Sequence, residues 1–203
     1  EGDEGCYLLP VKPETGYAEA ALVEPWTCVI ASYQIAARTR MRDGARVVVA
    51  GFPKGQVTLD LAGLAAGKVA SIAHAGLSEA NRKAVEEWAR ATGAALTAAK
   101  SVGELAAAPA AGSAPTEVIC AGTPDRDSFA RLVAAIDADG ILGVHTSAPD
   151  GDLPVDVGKA HYRRLELVGS TDGAVAASYG ANTREALVPK GKAWFVGGAG
   201  PMG

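Results

Sequence analysis

The stretch that decides the fold is Ala45-Arg46-Val47-Val48-Val49-Ala50-Gly51, followed by Phe52-Pro53-Lys54-Gly55. The apolar run, bounded by Asp43-Gly44 before it and a Gly/Pro turn after it, reads as a strand. Outward from it, Lys68 to His74 is a second strand and Ser78 to Thr92 a helix. Ala94 to Ala98 is a short strand, Thr116 to Ala121 a fourth, Asp127 to Ala138 a helix and Gly140 to Thr146 a fifth strand. Tyr162 to Ser170 reads as a sixth, and an apolar helix is expected between the Gly/Pro turn and the second strand. Strands alternating with helices of this length imply an α/β fold, a doubly wound parallel sheet of the Rossmann type with about six strands. Such a sheet takes its ligand outside the carboxyl ends of its strands, where strand order reverses.

The turn after the first strand is therefore the first place to look. A dinucleotide fingerprint needs glycine for a tight turn, glycine for close approach to a pyrophosphate, and a small residue for helix packing. Gly51 and Gly55 can serve two of these roles. Phe52-Pro53 departs from Gly-x-Gly, and Pro53 lacks a donor N–H. The acid expected about 20 residues on, for the adenosine ribose, is replaced by Ile72-Ala73-His74-Ala75-Gly76. Two readings stay open: specific dinucleotide binding, or a retained fold with a weakened site. Gly122-Thr123 and Val144-His145-Thr146, after the fourth and fifth strands, complete the candidate cradle. His74 and His145 fall at strand ends, where each could donate to a phosphate or ribose, or cap a loop. Lys54 and the missing acid lean toward NADP over NAD.

Around this centre, residues 1–43 read as an arm with a leading helix, 44–172 as the Rossmann-type domain, and 173–203 as a connector opening a second unit. Glu24-Pro25 starts the leading helix, Pro suiting a first turn and a carboxylate its positive end. Val29, Ile30, Tyr33 and Ala37 follow at helical spacing, and Arg38, Arg40 and Arg42 are placed at its close. In the helix after Ser78, Ala80, Ala84, Trp88 and Ala91 share one face, with Trp88 as a core-edge anchor and Gly93 as the stop. Phe129, Leu132, Val133 and Ile136 form the stripe of the next helix. Residues 101–115 read as a loop with at most one helical turn, and His161 as a surface residue.

Composition narrows the class. With 203 residues, 48% hydrophobic and 21% charged, the chain has enough apolar residues for one sizeable core. A net charge of -4 offers nucleic acid or an anionic membrane no attraction, and no apolar run nears the roughly 18 residues a span needs. Cys6, Cys28 and Cys120 have no short spacing, which argues against disulfides and against a cysteine-rich zinc site. Cys120 reads as a buried small hydrophobe. The N-terminus carries neither an initiator Met nor a signal-peptide pattern, so the chain reads as cytoplasmic and as a fragment or processed product. A homo-oligomer stays open.

The tail, Ala193-Trp194-Phe195-Val196-Gly197-Gly198-Ala199-Gly200-Pro201-Met202-Gly203, is an apolar strand running into Gly-x-Gly-x-x-Gly at Gly198, Gly200 and Gly203. It reads as the start of a second nucleotide-binding unit, cut short. Three segments resemble the medium-chain dehydrogenase/reductase family, in its zinc-dependent alcohol, sorbitol and threonine dehydrogenase branch. They are Ala20-Ala21-Leu22-Val23-Glu24-Pro25-Trp26-Thr27-Cys28, Arg163-Arg164-Leu165-Glu166-Leu167-Val168-Gly169-Ser170, and Val196 to Gly203. The resemblance implies a Rossmann-type NAD(P)-binding domain from an enzyme moving hydride between a secondary alcohol or polyol and NAD(P), with zinc in the parent enzyme. The family's Gly-Ala-Gly-Pro loop lies after the first strand, whereas here it follows a complete sheet. Its zinc-bearing half has no counterpart: of the zinc-shell positions only Glu24 has a match, and its plain reading is a helix-capping carboxylate. A fragment without metal ligands is expected to have no turnover alone. The alternative is a non-catalytic structural or oligomerisation domain with a degenerate nucleotide site; another nucleotide or a regulator at the same cleft is a third reading.

Overall fold

In a computed structural model, residues 12–34, 38–64, 68–107, 114–149 and 151–179 are described. The arm before Lys12 with Cys6, Ala37, and the tail with Gly198, Gly200 and Gly203 lie outside them. The chain divides into two compact units, residues 37–183, and residues 1–36 with 184–203.

The larger unit holds six strands: β1 (Ala45–Gly51), β2 (Val69–Ala75), β3 (Ala95–Ala98), β4 (Glu117–Ala121), β5 (Ile141–His145) and β6 (Glu166–Ser170). They form one sheet in the order β3-β2-β1-β4-β5-β6, every pair parallel. This is the Rossmann-type α/β arrangement, with the reversal of strand order between β1 and β4. The register levels the carboxyl ends: Gly51 lies beside Ala121, Ala121 beside His145, and His145 beside Ser170.

Both faces are covered at the centre of the sheet, which is why β1, β4 and β5 read as continuous apolar runs, while the edge strand β3 is exposed. Val47 and Val49 share a core with Ile72, Ile119 and Ile141, and with Val85, Trp88 and Ala89 of helix α3 (Glu79–Thr92). Val48, Ala50, Val118, Cys120 and Leu142 pack on the other face with Phe129, Leu132 and Val133 of helix α5 (Arg126–Ala135) and with Ile136. Each such side chain buried contributes about 1.5–3 kcal/mol. The Ser78 hydroxyl caps α3 by accepting from the Asn81 amide at 3.3 Å, and Gly93 closes it in the left-handed region at φ 69°. Asp125 caps α5 through the Ser128 amide at 2.8 Å. The buried face of α3 is Asn81, Val85, Trp88 and Ala89. Ala80 and Ala91 are exposed, which corrects the alanine stripe expected there. Alanine is small enough to sit on either side, so only Trp88 carried information about direction.

The helix expected after the Gly/Pro turn is not formed. Residues 52–64 are irregular, and Leu59, Leu61 and Leu64 enter the α3-side core from turns. The Asp60 carboxylate accepts from the Ala62 amide at 3.0 Å, a local bond that competes with helix. The buried backbone finds its partners elsewhere. Asn81, 1% exposed, accepts from the Leu59 amide and donates to the Val57 carbonyl, both at 2.9 Å. The Asp60 amide donates to Gly173 O at 2.9 Å, and Asp60 bridges Ala174 in parallel fashion. One amide side chain thus replaces part of a missing helical ladder.

The single helical turn expected within residues 101–115 is the short helix α4 (Val102–Leu105), while the sixth strand is shorter than expected, only Glu166–Ser170. Tyr162 ends helix α6 (Val157–Tyr162), on which His161 is exposed as expected. Helix α7 (Val175–Ser178) and Tyr179 then cover the α3-side face, burying Val175 and Tyr179.

Arg38, Arg40 and Arg42, expected to close the leading helix, are themselves not helical. The Arg38 guanidinium donates to Glu117 at 2.6 Å, the Arg38 amide donates to Glu166 at 2.9 Å, and the other Glu117 oxygen accepts from the Tyr179 hydroxyl at 2.8 Å. Arg42 donates to the carbonyls of Ala138 and Asp139. Glu117 and Glu166 begin their strands, so Arg38 serves the amino edge of the sheet, opposite the expected ligand edge.

In the smaller unit the described residues form α1 (Tyr17–Ala21) and α2 (Val23–Gln34), nearly continuous through the Trp26 amide to Leu22 O bond of 3.0 Å. Glu24 lies in the first turn of α2 and accepts from Cys28 Sγ at 3.0 Å. Among the described residues no helix is long and apolar enough to cross a membrane.

Candidate functional site

The level carboxyl ends of β1, β4, β5 and β6 bring Gly51, Gly55, Gly122, Thr123, Val144, His145 and Thr146 to one edge, where the strand order reverses. The loops there are stitched to one another. Phe52 N donates to Ala121 O at 2.9 Å, Gly122 N to His145 O at 2.8 Å and Thr146 N to Ser170 O at 3.0 Å. Thr123 N then donates back to Lys54 O at 2.7 Å, and Ser147 N to Gly55 O at 3.0 Å. Thr146 Oγ1 donates to Gly55 O at 3.0 Å and accepts from Ala148 N at 3.1 Å. The Thr123 hydroxyl lies 2.7 Å from Thr146 Oγ1 and 2.8 Å from Ala148 O.

The glycines answer to this stitching. Gly55 has φ 62°, and a Cβ there would run into Thr146 Oγ1 and come within 2.9 Å of Ala148 N. At Gly122, with φ 104°, it would strike Phe52 O and lie 2.7 Å from Lys54 O. At Gly51 it would strike the carbonyl of Gly76 and lie 2.7 Å from Leu77 N. Each space beside these glycines is filled by the chain's own backbone or a threonine. Phe52 itself turns into the α5-side core and is 5% exposed.

Two clefts remain open around Thr123. One, of about 580 Å³, is lined by Phe52, Pro53, Lys54, Thr123 to Arg126, and Gly151 to Leu153. The other, of about 320 Å³, is bounded by Val144, Thr146, Pro149, Ser170 and Thr171 and shares Thr123, Gly151 and Leu153 with the first. Both volumes suit a small molecule, and the lining mixes apolar walls with a few hydroxyls and charges. Lys54 and Arg126 bring positive charge to the larger cleft, and Asp125 and Asp152 negative charge.

The two strand-end histidines are both buried. His145 is fully buried; its Nδ1 lies 2.9 Å from Ser170 Oγ, and Nε2, packed against Gly143, has no partner. Burial brings its pKa down from 6.5 to about 4, against the pull of Asp172. At pH 7 it is a neutral ring that orients the β5–β6 edge. His74, next to last in β2, is 8% exposed, its pKa lowered chiefly by burial. Cys120 is the buried small residue expected, its thiol pushed up to about 12 by burial.

For metal the outcome is plain. Glu24 has Cys28 as its neighbour, and among the described residues no group of three or more His, Cys, Asp or Glu could hold an ion. Residues that sequence reasoning missed at this edge are Ser170 and Thr171, which close the smaller cleft, and Asn81, which braces the loop behind it. Their partners lie 22 to 25 positions away, where no spacing rule reaches.

No family model matches the chain, and no curated protein matches it. Among solved structures it is similar to a zinc-binding dehydrogenase from Sinorhizobium meliloti 1021 bound to NADP, at 21% identity and TM-score 0.45, over 74% of this chain and 43% of that one. It is similar to L-idonate 5-dehydrogenase from Escherichia coli K-12 at 15% identity and TM-score 0.41, over 83% of this chain and 46% of that one. A third is glucose dehydrogenase from Haloferax mediterranei in complex with NADP, zinc and gluconolactone, at 15% identity and TM-score 0.43, over 78% and 43%. The chain spans less than half the length of each of these structures.

Proposed function

We propose that this chain is the Rossmann-type cofactor domain of a zinc-dependent alcohol dehydrogenase-like oxidoreductase, cytoplasmic, with a nucleotide as its small-molecule partner. The observation that carries the reading is the open space beside Thr123, at the carboxyl edge where the parallel order reverses between β1 and β4. Ser170 and Thr171 are the residues that would hold a nucleotide there, with Thr123 and Thr146 fixing the floor through Ala148 and Gly55, and Lys54 and Arg126, beside Asp125 and Asp152, toward its phosphate. When bound, the nicotinamide ring takes or returns a hydride. The chain's own part is to hold the ligand between β4 and β6 and to keep the His145 ring neutral beneath it. The zinc of this reading is carried by the parent enzyme outside the described residues, so the domain alone is without turnover. Calorimetric titration with NAD(H) and NADP(H) tests this: heat of binding is expected, and none from a folded chain overturns it.

The second reading, a structural or oligomerisation domain with a degenerate site, is favoured by one observation: the amides of Thr123 and Ser147 are already spent on Lys54 and Gly55. Homo-oligomer formation, measured by light scattering together with silent calorimetry, would support it over the first.

A further inference from the structure

We infer that the loop from Phe52 to Gly55 is a clasp that closes the pyrophosphate crossing over β1, leaving a site for a mononucleotide. The inference rests on the cofactor reading above and narrows its ligand. A dinucleotide lying across a doubly wound sheet needs three things near the first strand: an open approach to the backbone, a helix N-terminus behind it, and room for the adenosine beside the second strand. None is present here. The approach is filled, because Lys54 O and Gly55 O are taken by Thr123 N, Thr146 Oγ1 and Ser147 N. The helix is replaced by the irregular segment from Val57 to Leu64, tied to Asn81. The adenosine side is shut where Gly51 and Gly76 press together: a Cβ on Gly76 would lie 2.6 Å from Gly51 O, and one on Gly51 would strike Gly76 O.

The other half of the edge is different. Between β4, β5 and β6 the clefts around Thr123 stay open, edged by Ser170 and Thr171, with Lys54 and Arg126 beside Asp125 and Asp152 at one end. The apolar lining of Val144, Pro149 and Leu153 with those two hydroxyls suits a ribose carrying a base, and cations matched by as many carboxylates suit one phosphate better than the two of a pyrophosphate. A ligand of that length stops short of β1. The glycines that would admit a pyrophosphate elsewhere admit the clasp here.

The test is titration of the full chain with three probes: nicotinamide mononucleotide, ADP-ribose and NADP. The expected result is that the mononucleotide and NADP bind within about tenfold of one another, while ADP-ribose is about 100-fold weaker or silent. Amide exchange on the same sample is expected to show Thr123 and Ser147 as protected as the sheet. ADP-ribose binding that competes with NADP, or fast exchange at both amides, overturns the clasp and leaves the cofactor reading standing. Silence from all three probes, with the chain folded, removes the cofactor reading and this ligand with it.

Discussion

The Thr146 hydroxyl donates to the carbonyl of Gly55 at 3.0 Å across 91 positions of sequence. That one bond joins the end of β5 to the turn after β1, spanning the carboxyl edge where the strand order reverses. It also explains why residue 55 is glycine: a Cβ would occupy the position of the Thr146 hydroxyl. Replacing Thr146, 4% exposed, by Val keeps its shape and deletes the hydroxyl. Ala148 N loses its acceptor and Gly55 O keeps only Ser147 N. The expected loss is about 1–3 kcal/mol, read as a lower urea midpoint at unchanged slope.

Gly55→Ala attacks the same joint from the other side. The residue has φ 62°, where an L side chain is strained, and its Cβ would collide with Thr146. Strain and collision together are expected to destabilise by more than about 1 kcal/mol and to speed exchange of the Ser147 amide. A variant as stable as the parent would show that the turn has room to move.

Much of the sheet was readable from Val47-Val48-Val49 and its counterparts, because a strand covered on both faces must be apolar along its whole length. Both ends of α3 and the start of α5 were readable from Ser78, Gly93 and Asp125, whose capping needs are local, whereas α5 ends at Ala135, short of the expected Ala138. The crossover after β1 was not. Leu59, Leu61 and Leu64 supply the apolar content of a helix, yet what organises them is Asn81, 22 positions on. The site suffered the same way. Gly51 and Gly55 read as a tight turn and a close approach to a pyrophosphate, but sequence could not say whether a phosphate, or Gly76 and Thr146, would come close to them. Arg38 looked like the end of a helix because its partner, Glu117, is 79 positions away.

Glu117 is fully buried between Arg38 and Tyr179, and burial pushes its carboxyl up while Arg38 and Tyr179 pull it down. Glu117→Gln leaves the Arg38 guanidinium without its counter-charge. Uncompensated burial of such a charge costs about 3–5 kcal/mol in an enclosed site, and less here because Arg38 keeps 19% of its side chain exposed. Tyr179→Phe removes only one bond and is expected to cost about 1–3 kcal/mol. Thermal unfolding of the two variants should rank them in that order.

Asn81 offers a test of how the irregular crossover is held. Asn81→Leu fills the same volume but leaves Leu59 N and Val57 O without the amide side chain that each of them bonds. Two buried backbone groups set free cost about 1–3 kcal/mol each. Asn81→Asp keeps the acceptor for Leu59 N and faces Val57 O with a second acceptor, so it is expected to be nearly as damaging. Proteolysis between β1 and β2, measured against unfolding of the whole domain, would show whether the segment loosens before the sheet does.

His145 gives the domain a pH dependence whose sign follows from burial. Its folded pKa, about 4, lies below its ordinary 6.5, so between these values the unfolded chain binds more protons. Stability is therefore fully present above pH 6.5, falls as pH drops toward 4, and is not lost further below that. The whole effect is at most about 3 kcal/mol, since one pKa unit is 1.36 kcal/mol. His74, also lowered by burial, acts in the same direction. Glu117 acts in the opposite one: its raised pKa means the folded chain takes up a proton first, which favours folding as pH falls. The His145 share is isolated by comparing the parent with His145→Asn, which keeps polarity beside Ser170 and removes the titrating ring. The difference in unfolding free energy between the two proteins should be largest above pH 6.5 and shrink toward pH 4. A difference that stays constant across that range would mean that the ring is already open to protons in the folded state.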